Sequence, residues 1–304
     1  MTATPSLLDR AYLFFFSDER RKFFERLILG IAIGGFLIHL AVIFLVDFGL
    51  LKVERMSPLL ANPIAAAYTP FTFILVYEVY LLVYYLPQSI TTYISKQYEI
   101  ITLILIRRLF KDLSAVEISA DWFAIKGDLL FTYDLIGALL LFYLLHLFKQ
   151  LGRRRQELSD NMDTIGPSLE RFIRLKKGMA VCLIPLLLGV AIYTFVTWIV
   201  GTVFPGHPLA TSFDNINNIF FDKFFGILII VDVLLLLFSF FLTDDFHKII
   251  RNSGFIVSTI LIRLSFSVEG LVSVALVVAS VVFGLLILLI FNQYQKAALN
   301  EQST

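Results

Sequence analysis

The chain has 304 residues, a net charge of +1 and only 16% charged residues; 58% are hydrophobic and the mean hydropathy is +0.84. This is more apolar than ordinary globular usage, and the near-neutral charge points to no nucleic acid and no acidic substrate as partner. One cysteine, Cys182, excludes an intrachain disulfide and a thiolate metal cage, and it reads as a small core hydrophobe.

Residues 1–26 read as an interfacial amphipathic segment. The apolar run Leu13-Phe14-Phe15-Phe16 meets Asp18-Glu19-Arg20-Arg21-Lys22 at once. It is too short for the core of a cleavable signal and does not end in small residues. Its aromatic face suits the headgroup level of a bilayer and its basic face suits anionic lipid.

Six long apolar stretches follow, near 27–47, 67–87, 129–148, 179–200, 224–243 and 270–291. Each is about 20 residues, the length a helix needs to cross a hydrocarbon layer of roughly 30 Å. Helices are expected because lipid leaves every backbone polar group to be paired within its own segment. The first stretch holds Gly30-xxx-Gly34, a small-residue spacing suited to a helix or subunit contact and compatible with a homo-oligomer. The second carries Glu78 near its middle. Tyr77, Tyr80 and Tyr84 share one face of that helix, and phenols there are expected to line a polar seam. Asp134 lies early in the third stretch and Asp232 in the middle of the fifth.

Two shorter segments, 98–110 and 254–266, carry Arg107 and Arg263 near their ends. Thirteen residues make a helix of about 20 Å, so each is read as a short crossing or a re-entrant helix. Crossing requires residues upstream, from Ile94 in the first case, to join the helix, and Arg107, Arg108 and Lys111 to snorkel.

The linker 149–178 holds eight Lys/Arg and residues 1–26 hold five, against two in 48–66 and one in 201–223. The positive-inside rule therefore puts the N-terminus and the linker on the cytoplasmic side of a cell (plasma or inner) membrane. Gly166-Pro167 divides the linker. Its second part places Arg171, Arg174, Lys176 and Lys177 among apolar residues, an arrangement expected to face lipid at the inner leaflet.

The two halves resemble each other. Segments 98–110 and 254–266 agree at six of 13 positions, including Ile104-Leu105-Ile106-Arg107 and Ile260-Leu261-Ile262-Arg263. Glu78 falls opposite Asp232, and Phe148 and Gln150 fall opposite Phe291 and Gln293. The expected fold is all-α, a polytopic transmembrane helical bundle. It comprises membrane repeat 1 over 27–148, the linker, membrane repeat 2 over 179–291 and a short tail, 292–304. A cytoplasmic linker makes the repeats parallel, each with three long spans and one short helix.

An ionised group at mid-bilayer costs at least about 2.5–3.5 kcal/mol, so Glu78, Asp134 and Asp232 each need a partner or a wet path. Three arrangements are open: acids pairing with Arg107 and Arg263, within or across repeats; acids serving a small cation or a proton; or a neutral, protonated carboxyl bonded to a tyrosine. The corresponding functions are a channel or transporter, and a non-transporting membrane subunit whose acids only neutralise arginines. No nucleophile–base set suggests an enzyme. His39 and His146 sit at unmatched depths, which argues against haem, and no ligand spacing suggests a metal or other cofactor.

Overall fold

The computed structural model describes residues 7–50, 63–113, 126–159, 167–203, 213–242, 246–268 and 270–302. Among them the chain is helical, with no strand. The elements are α1 (Leu7–Phe16), α2 (Asp18–Asp47), α3 (Tyr68–Tyr85), α4 (Ile90–Leu113), α5 (Lys126–Ser159), α6 (Pro167–Val203), α7 (Phe213–Leu242), α8 (Phe246–Ser265) and α9 (Leu271–Gln302); a 3-10 turn, Pro63–Ala67, leads into α3. Parts of the 149–178 linker and most of the loops between stretches lie outside the described residues.

Local chemistry sets the boundaries. Ser17 separates α1 from α2: its side chain accepts from the Arg20 amide at 3.4 Å, and Asp18 and Glu19 complement the dipole in the first turn. Gly270, at φ 67°, turns the chain between α8 and α9, where a Cβ would also stand 3.2 Å from Leu130. The short segment 98–110 is the latter part of a longer helix. The polar residues from Ile90 onward extend α4 to 24 residues, or about 36 Å. Apolar periodicity could not see this extension because Thr91, Thr92, Lys96 and Gln97 interrupt it.

Four segments are long and apolar enough to cross a membrane: Leu7–Asp47, Gly127–Arg153, Lys223–Phe241 and Leu271–Ala297; Thr69–Tyr85 is a shorter apolar helix. The distribution of polarity fits membrane embedding. On α8 the exposed residues are mostly apolar, Ile250, Val257, Ile260 and Leu264 with Arg263 and His247 toward the ends, while Asn252, Ser258, Thr259 and Ser265 are buried. A water-soluble helix has the reverse arrangement. With apolar surface already matched by lipid, packing and hydrogen bonds inside the protein hold such helices together.

Neighbouring helices pack in chain order: α2 on α3, α3 on α4, α4 on α5, and again α6 on α7, α7 on α8, α8 on α9. Between the halves α5 packs on α9, α4 on α8 and α3 on α6. At one end α4, α6 and α8 begin while α3, α5 and α9 finish. Contacts there include Lys176 Nζ to the Gln88 carbonyl at 2.9 Å, Lys149 Nζ to Glu99 Oε1 at 2.6 Å, and the His247 and Tyr294 rings stacked at 4.6 Å. This is called the linker end below.

The N-terminal segment is seated on protein. Phe16 is buried, α1 packs on α6, and Lys177 Nζ lies 3.7 Å from Asp9 and 5.2 Å from the Tyr12 ring centre. Close packing of α2 on α3 uses Gly35, where a Cβ would meet Phe73 at 2.9 Å; Gly30 and Gly34 face open space.

Candidate functional site

The centre of the assembly is a polar seam between α4 and α8. Tyr93 and Gln97 stand one turn apart on α4, on the face turned to α7 and α8. Gln97 is fully buried and joins three helices. Its Nε2 donates to Asp232 Oδ2 on α7 at 3.1 Å, and its Oε1 accepts from Thr259 Oγ1 on α8 at 2.7 Å. Thr259 Oγ1 also lies 3.1 Å from the Phe255 carbonyl. Tyr93 is buried at 3% exposure, and its hydroxyl has no hydrogen-bond partner among the described residues. Asp232 is 5% exposed, and no ion pair to it occurs among the described residues.

Away from Asp232 the seam continues. Tyr98 Oη donates to Ser258 Oγ at 2.7 Å, Ser258 donates to the Ser280 carbonyl of α9 at 2.8 Å, and Thr102 Oγ1 donates to the Tyr98 carbonyl at 2.7 Å. Beyond it Arg108 grips Asp134 with two bonds, Nε to Oδ2 and Nη2 to Oδ1, the latter at 2.6 Å. Its Nη1 donates to Ser273 Oγ at 3.2 Å, and Ser273 Oγ donates to the Ser265 carbonyl at 2.9 Å. A fork-on-fork pair of this kind fixes α4, α5 and α9 relative to one another.

Among the described residues no ion pair joins Glu78 or Asp232 to Arg107 or Arg263. Glu78 is half-buried and acted on electrostatically by Lys96, Glu99 and Lys149, with Oε2 lacking a hydrogen-bond partner. Lys96 and Lys149 both bridge Glu99. Arg107 is buried next to Arg108, and Arg263 is exposed with its guanidinium against Gly226. Tyr77, Tyr80 and Tyr84 do share a face, but it is the face away from Glu78. They donate to Glu25 Oε2 at 3.3 Å, the Phe15 carbonyl at 2.8 Å and Asp18 Oδ1 at 3.0 Å. They fasten the N-terminal segment to α3.

Of the linker bases, Arg171 and Arg174 are exposed, Lys177 is half-buried against α1, and Lys176 is buried at 4% exposure. Lys176 precedes the apolar stretch 179–200. Burial, helped by Arg251, lowers its ammonium to about 8, and Asp232 opposes that shift. Arg251 itself lies over the Phe291 ring at 4.5 Å and donates twice to Asn252 Oδ1, at 3.1 and 2.9 Å.

The residues missed by sequence reading are Tyr93, Gln97, Thr259, Arg108 and the inward role of Lys176. One signal was available. Gln97 interrupts an isoleucine-rich helix, and Asn252 and Thr259 fall seven apart on α8, two turns along one face. His39 Nδ1 is 2.6 Å from Thr69 Oγ1 and His146 is exposed. No cluster of three or more His, Cys, Asp or Glu able to hold a metal ion occurs among the described residues.

Compared with protein-family models, curated proteins and solved structures, the chain matches none.

Proposed function

We propose that the protein is a polytopic membrane transporter or channel that moves a proton or another small cation through the α4–α8 seam, with Asp232 as the working carboxylate. One observation carries this reading. Asp232 is buried at mid-helix, accepts from the neutral Gln97 amide and has no ion pair among the described residues, with the buried Lys176 ammonium acting on it only electrostatically. Such a carboxylate must either carry a proton or hold a cation, because its bare charge is costly in that setting. Glu78, on the edge of the Lys96–Glu99–Lys149 group, is the entry-side candidate at the linker end.

The architecture supporting this reading is two parallel repeats of four crossings, α2–α5 and α6–α9, with N-terminus and linker cytoplasmic. The same order of neighbours in both halves, and the packing of α4 on α8 and α5 on α9, suit an axis along the membrane normal. In a Cys182→Ser background, a cysteine at Ser159 is expected to be labelled only from the cytoplasmic side and one at Thr211 only from outside. Labelling of Ser159 from outside would overturn the parallel arrangement.

A second reading has its own observation. Arg108 and Asp134 form a neutralised pair of the kind a non-transporting subunit would contain. Reconstitution decides between them. Wild-type protein in liposomes is expected to dissipate an imposed proton, Na⁺ or K⁺ gradient, and Asp232→Asn to slow this at least about tenfold while eluting and melting like wild type. Absence of flux of all three cations from wild-type protein would establish the subunit reading instead.

A further inference from the structure

We infer that the cation is a proton, bound on Asp232 and read by rotation of the Gln97 amide; this rests on the transport reading above. The donor inventory around the carboxylate argues against a metal ion. Gln97 presents Nε2–H to Asp232 and turns its only oxygen to Thr259. Tyr93, whose buried hydroxyl has no hydrogen-bond partner among the described residues, could serve a carboxylate only as a donor. The charged and titratable groups facing the site are Tyr93 from α4 and Lys176 from α6, with Arg251 of α8 behind Lys176; on α8 Arg263 lies toward the other end of α7. None adds a second carboxylate. Hard metal ions take several oxygen ligands at once, and this pocket offers mostly N–H and O–H groups beside a buried ammonium.

Asp232, Gln97 and Thr259 accommodate a proton in two bonded arrangements. With Asp232 ionised, Thr259 O–H donates to Gln97 Oε1 and Gln97 Nε2–H donates to Asp232, as the structure shows. When a proton binds an Asp232 oxygen, the carboxyl becomes a donor. Rotation of the amide by half a turn then presents Oε1 to the new O–H and Nε2–H to Thr259 Oγ1. The Thr259 hydroxyl proton swings to the Phe255 carbonyl, already 3.1 Å away. Each arrangement keeps the Asp232 carboxyl, the Gln97 amide and the Thr259 hydroxyl bonded in one chain, so protonation of one helix, α7, is passed to α4 and α8. Loss of the proton reverses each step.

The test uses the full chain in proteoliposomes, with a trapped pH dye for protons and radiolabelled Na⁺ and Rb⁺ for metal ions. Wild-type protein is expected to move protons and neither metal ion. Gln97→Met removes a charge-assisted bond from the ionised form and a weaker neutral bond from the acid form, so the pH of half-maximal flux should rise by about one unit. Infrared difference spectra on a pH step should show a carboxyl band that Asp232→Asn abolishes. They should also show a glutamine amide response that persists in Thr259→Ser and disappears in Thr259→Val. Uptake of Na⁺ or Rb⁺ without proton movement would overturn the proton assignment and leave the transport reading standing. Flux of no cation at all would overturn the transport reading itself. Proton flux with an unshifted Gln97→Met profile, or no amide response in wild type, would eliminate the relay. The wild-type measurements stand even if a variant fails to fold.

Discussion

Arg108→Met is expected to lower the stability of the folded protein by about 3 kcal/mol, the low end of the roughly 3–5 kcal/mol typical when one partner of a buried ion pair is removed. Asp134 is 2% exposed and Arg108 about a third exposed, so the guanidinium retains some access to polar surroundings and the carboxylate does not. Methionine keeps the apolar stem and deletes both bonds to Asp134 together with the bond to Ser273. The damage should come from the carboxylate. Adding Asp134→Asn should therefore recover at least half of the loss, and Asp134→Asn alone should cost less than Arg108→Met alone. Thermal unfolding in detergent, read by size-exclusion recovery after heating, measures all three variants. If the double variant is no better than Arg108→Met, the pair does not hold α4 against α5 as the geometry indicates.

Gly284→Ala is expected to be the most damaging of the single-methyl additions. A Cβ at this position on α9 would overlap Tyr98 Oη and stand 3.0 Å from its ring carbon Cζ. Tyr98 has nowhere to retreat. It is buried, edge-on to Phe148 at 5.0 Å, and its hydroxyl is held by Ser258. Overpacking of this kind costs about 1–3 kcal/mol, and displacement of the ring adds loss of the Tyr98–Ser258 bond, about 1 kcal/mol. Tyr98→Phe alone should lose only the second amount. Combined with Gly284→Ala, it should be more stable than Gly284→Ala alone, since the overlapping atom is gone. A double variant that melts below Gly284→Ala would place the conflict elsewhere. By contrast Gly30→Ala and Gly34→Ala, which meet nothing within 4 Å, should be neutral in the monomer. A loss there would reveal a subunit contact.

The membrane class was legible because it depends on runs of apolar residues, and those need no tertiary knowledge. Helices α2, α5, α7 and α9 come directly from such runs. Helix α4 was seen as a fragment: its first turns are polar and acquire meaning only once α7 and α8 are beside them. The acids were found for the same reason the spans were, as charges in apolar surroundings, but their partners were not. Arg107 and Arg108 are adjacent, and about 100° of helical rotation separates them. Which one meets Asp134 depends on how α4 is turned against α5, and spacing does not supply that. The tyrosines of α3 show the same limit. Their shared face was correctly read from spacing, yet the face belongs to the N-terminal segment and Glu78 points to the opposite side.

The seat of α1 also constrains the order in which the molecule can be completed. Its contacts are divided between Tyr80 and Tyr84 on α3 and Lys177 on α6, which is synthesised only after the whole first half and nearly all of the linker. Helix α1 is therefore made before one of its partners and must wait for it. Until α6 arrives, the aromatic face around Tyr12, Phe15 and Phe16 has only half its partners, and the headgroup layer is the natural place for it to rest. Docking of α1 then waits on α6, so α1 is locked down only in chains whose synthesis has passed α6.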